Sequence, residues 1–468
     1  MAAEPTGRPT GSVLAEEAYT GRMPTRPGDM AVETHGIAPV PPDNRYGTAR
    51  RLFTVWFAPQ VNMTVVFAGT LSVVLGLGFW LGLLAMTIGT VIGCLAVAYL
   101  STWGPRTGTA QLPNARMAFG GGVAVVAMIQ WLSSIAWDGL VGLFGGEALA
   151  GLTGMPFWLA VLVVLGAQGA VGVFGYEVIH RVQAVMTVVL LVTFAVFAVK
   201  LLAGQQVVTP PTMTGADLAG AFVMEVTIAL SLGISWASYA SDYSRYLPVH
   251  TSRRAVFGYT FAGLALAYIA VQALGVAAAG MLTDQTAEGI RSVMGGGALG
   301  AAALLVIALG SVASNAMNDY SGSLAMQTTG LRVRRPVSAA VVAAMAFALI
   351  MWLHAGDLAT RFQSVLLFVS YWIPAFVAIN AVDWRYRSAG RDVVDPALEN
   401  TPRRDAVAAL VSFAVAFAAA TPFMHTDLFV GPLSTRLHGA DIAYFVNFLV
   451  ALALYGGYRA IAARSTAR

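Results

Sequence analysis

The sequence predicts an all-α polytopic membrane protein with twelve transmembrane helices, and three observations carry that expectation. Of 468 residues, 57% are hydrophobic and only 11% are charged, with a mean hydropathy of +0.70. A soluble domain carries about 25% charged residues, so most of this chain belongs in lipid. Apolar runs of the roughly 20 residues needed to cross ~30 Å of hydrocarbon recur at 52–78, 80–102, 121–146, 156–175, 182–203, 219–241, 254–280, 298–328, 337–354, 362–383, 405–423 and 440–462. With the N-terminus inside, only Lys200, Arg291, Arg361 and Arg436 of the 27 basic residues fall outside. Basic residues near helix ends stay cytoplasmic, and one segment more or fewer would scramble that sorting. Both termini are therefore expected in the cytoplasm and the chain in the cell membrane. The pI of about 9.2 reflects this topology and does not point to nucleic acid.

Taken in order, residues 1–51 are polar and rich in Pro and Gly, without an apolar stretch able to act as a signal peptide. They read as a flexible cytoplasmic tail. The first segment starts as Leu52-Phe53-Thr54-Val55-Trp56-Phe57 and is then interrupted by Ala58-Pro59-Gln60-Val61-Asn62. Pro59 removes an amide donor and clashes with the preceding turn; Gln60 and Asn62 are costly in lipid unless they face a cavity. A plain proline kink would explain Pro59 alone. The second segment ends at Trp103-Gly104-Pro105-Arg106, and its Cys94, the only cysteine, rules out an intrachain disulfide. In the third, Gln130, Ser134, Trp137, Asp138 and Val141 share one helical face. The fourth and fifth are apolar and bounded by Gly154-Met155-Pro156 and Thr209-Pro210-Pro211.

The sixth segment repeats the anomaly of the first. At mid-depth it turns into Leu232-Gly233-Ile234-Ser235-Trp236-Ala237-Ser238, expected to break near Gly233 because irregular backbone there must face protein or a water-filled cavity. The eighth carries Ser311, Ser314, Asn315, Asn318, Asp319 and Gly322 on one face, where interhelical hydrogen bonding is the plainer account of any single serine. Interruptions at matching places in two halves point to a transporter's midplane site. The halves are 52–203 (segments one to five) and 219–383 (six to ten), the second inverted because five is odd; 405–462 holds two accessory helices and 463–468 a cytoplasmic end. Trp137 and Trp236 offer flat faces for a ring, while Asn315, the serines and exposed main chain offer donors and acceptors for its edge. No fixed basic residue answers an anionic substrate, so a neutral planar solute fits best. His35, His180, His250, His354, His425 and His438 lie in the tail, in loops or at segment ends. That scatter disfavours a membrane-embedded enzyme, and no cofactor or metal site is expected beyond a coupling ion.

At these residues the chain resembles the nucleobase–cation symporter-1 family of cytosine, purine–cytosine and hydantoin transporters. The resemblance runs from about Arg45 to Asp383. It rests on Val55-Trp56-Phe57-Ala58, Gly104-Pro105-Arg106-Thr107-Gly108, Ala136-Trp137-Asp138-Gly139, Phe174-Gly175-Tyr176-Glu177-Val178-Ile179-His180-Arg181, Ser235 to Pro248, and Asn315-Ala316-Met317-Asn318-Asp319. It implies a leucine-transporter-type five-plus-five inverted repeat, alternating access, and import of a purine or pyrimidine base, or of another heterocycle such as a hydantoin, allantoin or thiamine-like ring. By the same resemblance Trp137 and Trp236 flank the ring, Ser235 and Ser238 lie at its edge, Asn315 bonds the base, and Gln60, Asn62 and Ser134 sit close by. A sodium site would use Ala58, Val61, Gly310, Ala313 and Ser314, although Ala313 stands where relatives often carry a hydroxyl. Asp138 and Asp319 are the groups a proton-coupled carrier would use, and the coupling ion, Na⁺ or H⁺, leans toward H⁺. Val141 replaces an amide found in some relatives, and Asp138 departs from the family pattern.

Overall fold

The computed structural model describes residues 36–172, 176–204, 208–282, 286–331, 333, 335–389, 391, 393–394, 396 and 399–466. The Phe174-Gly175 part of the family motif lies outside the described residues. A helix occupies each of the twelve expected segments. In order these are Arg51–Phe57 with Met63–Val74, Gly78–Ser101, Val123–Thr153, Phe157–Gly172, Tyr176–Gly204, Gly215–Ile234, Arg253–Leu282, Gly297–Thr328, Arg335–His354, Leu358–Phe368 with Ile373–Arg387, Arg403–Ala420 and Ala443–Thr466. Among the described residues, nine stretches are long and apolar enough to cross a membrane, or ten with the bent first pair counted as one; Phe157–Val171 and Ala340–His354 are shorter apolar helices. The only strands among the described residues, His425–Thr426 and Phe429–Val430, form a small antiparallel hairpin before the last helix.

The first segment bends by 59° between Arg51–Gln60 and Met63–Val74. Ala58–Gln60 tightens into a 3₁₀ turn, and Asn62 caps the second piece by accepting from the Val65 amide at 3.1 Å. That cap replaces an intrahelical bond lost at the break. The sixth segment differs from expectation in place. Its α-helix runs through Gly233 to Ile234, and the 3₁₀ turn occupies Ser235–Tyr239. Gly233 instead lets the second segment approach: a Cβ added there would lie 3.1 Å from the Cys94 amide nitrogen and Gly93. A Cβ on Gly93 would meet the Ile234 amide at 2.7 Å. Small residues permit such close backbone contact in membranes, where packing replaces the hydrophobic effect. The tenth segment, expected as one helix, is split by a turn at residues 369–372.

The loop after the second segment holds three single-turn helices, Gly104–Thr107, Gln111–Asn114 and Arg116–Phe119. Residues ahead of the first helix are tied beneath the bundle: Val40 donates its amide to the Gly108 carbonyl at 2.8 Å, Tyr46 to Tyr246 at 2.7 Å, and Arg245 reaches the Gly36 carbonyl at 2.8 Å. Large apolar side chains such as Trp80, Val188, Val199 and Leu449 stay exposed on outer helix faces. That is the surface a bilayer covers.

Candidate functional site

The two tightened turns meet. Trp236, in the sixth-segment turn, donates its indole N–H to Gln60 Oε1 at 3.2 Å and to the Tyr268 hydroxyl at 3.0 Å. Tyr268 in turn donates to the Leu232 carbonyl at 3.0 Å, one of the carbonyls that a tightening helix end must place elsewhere. Trp56 sets its ring edgewise to Trp236, with centroids 5.7 Å apart, and to Tyr243 at 5.3 Å. The break of the first segment also reaches the eighth: the Ser314 hydroxyl donates to the Pro59 carbonyl at 3.1 Å. A carbonyl freed at a break needs such a partner where water is scarce.

A second network joins segments three, six and eight. Ser238 donates to Gln130 Oε1, Gln130 Nε2 to the Tyr239 hydroxyl at 2.5 Å, and Tyr239 to Asn318 Oδ1 at 3.3 Å. Asn318 Nδ2 then donates to Asp138 Oδ1 at 2.8 Å and to the Ser134 carbonyl at 2.6 Å. Asn315 Nδ2 donates to Gln168 Oε1 at 2.8 Å and to the Asp138 carbonyl at 3.2 Å. Asp319 is the neighbouring carboxyl and interacts electrostatically with Asp138. Several buried atoms here have no hydrogen-bond partner among the described residues: Gln60 Nε2, Asn315 Oδ1, Asp138 Oδ2 and Trp56 Nε1. Buried polar atoms without partners cost free energy. A set containing both donors and acceptors suits a ligand with the complementary edge.

Several expected residues are thus brought together: Gln60 with Trp236, Ser238 with the segment-three network, Ser134 and Asp138 with Asn318, and Asn315 with the Asp138 backbone. Others spend their polar atoms locally. The Ser235 hydroxyl bonds the Leu232 carbonyl at 2.8 Å, the Ser134 hydroxyl the Trp131 carbonyl at 2.7 Å, and the Asn62 amide caps its own helix. Trp137 is half-buried and packs against the core, with no ring partner among the described residues. Around the expected sodium positions, the Ala58 carbonyl accepts from the Val61 amide at 3.1 Å and the Ala313 carbonyl from Gln183 Nε2 at 2.8 Å. Gly310 packs near Leu190, whose Cδ2 would lie 3.0 Å from an added Cβ.

Tyr268, Gln168 and Gln183 went unread in the sequence. A lone glutamine within an apolar run signals a buried partner, and that signal was present at Gln168 and Gln183. Tyr268 gives none, because tyrosine is ordinary in membrane helices. Glu225, within the sixth segment, is fully buried, and neither carboxyl oxygen has a hydrogen-bond partner among the described residues.

Residues 39–447 match the family described as permease for cytosine/purines, uracil, thiamine, allantoin. YxlA of Bacillus subtilis, which by name falls among purine-cytosine permeases, is 27% identical over 454 residues, covering 91% of this chain and 95% of its own. The purine-cytosine permease fcyB of Emericella nidulans is 24% identical and covers 91% and 88%. The vitamin B6 transporter TPN1 of Saccharomyces cerevisiae is 24% identical over 64% of this chain and 56% of its own. Among solved structures, Mhp1, a nucleobase-cation-symport-1 transporter closed around bromovinylhydantoin, superposes with a TM-score of 0.73 at 19% identity, covering 92% and 96%. A Na⁺-coupled sialic acid symporter gives 0.58 at 10% identity, covering 90% and 91%. The fold is therefore that of Mhp1 and the leucine transporter. With a family match across most of its length and that fold, the chain belongs to the nucleobase–cation symporter-1 family, as a multi-pass membrane transporter and not an enzyme.

Proposed function

We propose that this transporter imports a purine or pyrimidine base across the cell membrane by cation symport and alternating access, with twelve spans and both ends in the cytoplasm. The observation that carries the reading is the pair of unpartnered buried amides, Gln60 Nε2 and Asn315 Oδ1, on the first-segment break and on the eighth helix. One donates and the other accepts, as the Watson–Crick edge of a base requires. The Trp236 indole beside Gln60 supplies an apolar ring, and Ser238, Ser235, Ser134, Asn62 and Trp137 line or support the neighbouring turns. A competition panel tests this reading: labelled cytosine against adenine, hypoxanthine, uracil, allantoin, hydantoin and pyridoxine. Inhibition by bases alone is expected. Preferential inhibition by hydantoin, allantoin or pyridoxine would replace the substrate with another planar heterocycle.

For the coupling ion we favour H⁺. A sodium ion is held by several oxygens at once, which replace its hydration shell. Here the Ala58 and Ala313 carbonyls already accept protein hydrogen bonds, and the Ser314 hydroxyl points its proton at Pro59. A carbonyl keeps a second lone pair and a donating hydroxyl keeps its own, so these groups could still coordinate. The set is short by one side-chain oxygen because Ala313 carries no hydroxyl, and to that extent it fits sodium less well. Asp138, with one carboxyl oxygen free of partners and Asp319 beside it, is the better carrier of a coupling charge, because an intramembrane carboxyl marks a proton relay. Uptake should survive replacement of sodium by choline and fall when the pH gradient is collapsed. The reverse pattern would assign the ion to sodium.

A further inference from the structure

A cavity of about 900 Å³ opens well away from the broken helices, at the ends of segments two, seven and ten. Five arginines line it, Arg106, Arg253, Arg254, Arg385 and Arg391, together with Trp384 and no carboxylate among the described residues. Arg106 is buried, lies 4.8 Å over the Trp384 ring and donates to the Ser388 and Arg391 carbonyls. Trp384 is stacked in turn on Trp103 at 4.5 Å, so this wall is rigid. Arg391 is shared with Glu399. Arg253, Arg254 and Arg385 are exposed, and none has a hydrogen bond or ion pair among the described residues.

That arrangement opposes two local rules. Arg253, Arg254 and Arg385, with no ion-pair partner among the described residues, repel one another, and cations in the first turn of a helix oppose its positive end. Arg253 and Arg254 open a 30-residue helix whose first turn holds no acidic residue. Both costs turn into gains if an anion occupies the cavity, since the helix amides and guanidinium forks then act together. The aromatic rim, Tyr99 and Phe257, suits the depth where polar headgroup meets acyl chain.

We propose that this cavity is a binding site for a phosphate-bearing anion, and that its occupant is the headgroup of an anionic phospholipid. The loops that form it carry the excess of basic residues and so face the cytoplasm, where the leaflet is anionic. A headgroup seated there links segments two, seven and ten through their ends, and so favours one relative placement of the two halves. No part of the solute site is needed for it.

The test uses the full-length protein in nanodiscs of phosphatidylcholine, to which phosphatidylglycerol is added while thermal stability and retained lipid, by native mass spectrometry, are followed. Saturable stabilisation is expected. Arg253→Gln with Arg385→Gln should weaken apparent affinity by about fivefold per arginine; Arg253→Lys with Arg385→Lys should keep much of it. Neither side chain has a partner, so folding should be intact, with an unshifted melting midpoint in phosphatidylcholine alone as the check. Arg50→Gln, on the same face outside the cavity, should change nothing. If inorganic phosphate alone gives the saturable effect in neutral discs, the phosphate site stands and the lipid assignment falls. If neither anion saturates, or Arg50→Gln weakens the response as much as the cavity variant, only general surface attraction is present and the proposal is overturned.

Discussion

Trp236 carries more of the site than any other side chain, because its indole N–H bridges the broken first segment to Tyr268 while its ring meets Trp56 and Tyr239. Trp236→Ala should lower apparent substrate affinity by about tenfold or more, from lost ring contact and a Gln60 left without its donor. Surface expression should be unchanged, and wild-type uptake in that variant would remove Trp236 from the site. Asn315 is held by Gln168 and the Asp138 backbone, so its direction is fixed, and in the proposed reading its Oδ1 faces the base. Asn315→Asp keeps the shape while removing the donor to Gln168, and should change base preference in the competition panel more than it changes maximal rate. Equal inhibition constants for every base would mean that Asn315 only packs. Both residues stand out in the sequence because tryptophan and asparagine at mid-depth have few cheap uses in lipid. Ser235 and Asn62 looked equally polar, yet their side chains bond their own backbone. Sequence spacing cannot separate a hydroxyl aimed at a ligand from one returned to the preceding turn.

At the scale of elements, proline was a better marker than glycine. Pro59 and the polar residues after it located the bend of the first segment, whereas Gly233 proved to be a contact point between helices and the backbone change falls at Ser235. Glycine allows both uses, and only the neighbouring helix decides between them. Gly93 shows the second use directly, with backbone atoms of segment six 2.7 Å from a would-be Cβ. Gly93→Leu should therefore force the second and sixth helices apart and cost about 1–3 kcal/mol or more, read as a lowered thermal midpoint with reduced uptake. An unchanged midpoint would show that the contact is slack. The end of the bundle that carries the loop before the last helix is tied differently. Asp441, in the loop just before Ala443, accepts from the His425 and Ala443 amides and from the Tyr371 hydroxyl in the turn that splits segment ten. Burial pushes its carboxyl from 3.8 up to about 6, against the lowering effect of those three donors. A folded value above the unfolded one means that its contribution to stability is complete below the ordinary carboxylate range and lost as pH rises through about 6. Thermal stability of the wild type should fall over that window, and Asp441→Asn should flatten the fall. The split in segment ten had a signal that went unread: Pro374 sits in the first turn of Ile373–Arg387 and has no amide to offer the Ser370 carbonyl, and these tertiary bonds add to it.

For the whole molecule, the expectation of twelve segments rests on bulk hydrophobicity and on where arginine falls, both of which survive ignorance of any contact; among the described residues nine or ten of the stretches are long and apolar enough to cross a membrane. The proposed inversion of one half relative to the other rests on segment parity alone. The membrane orientation can be tested with little background, because Cys94 is the only cysteine and is fully buried. In a Cys94→Ala chain, cysteine placed at Arg436, in the exposed loop before the last helix, should react with an impermeant maleimide on intact cells. Cysteine at Arg404, at the start of segment eleven, should react only after the membrane is opened. Both positions are exposed, so a failure to label reports sidedness and not burial. Labelling of Arg404→Cys from outside would invert the topology and place the arginine-lined cavity against the outer leaflet, while the direction of symport, set by the ion gradient, would stay the same.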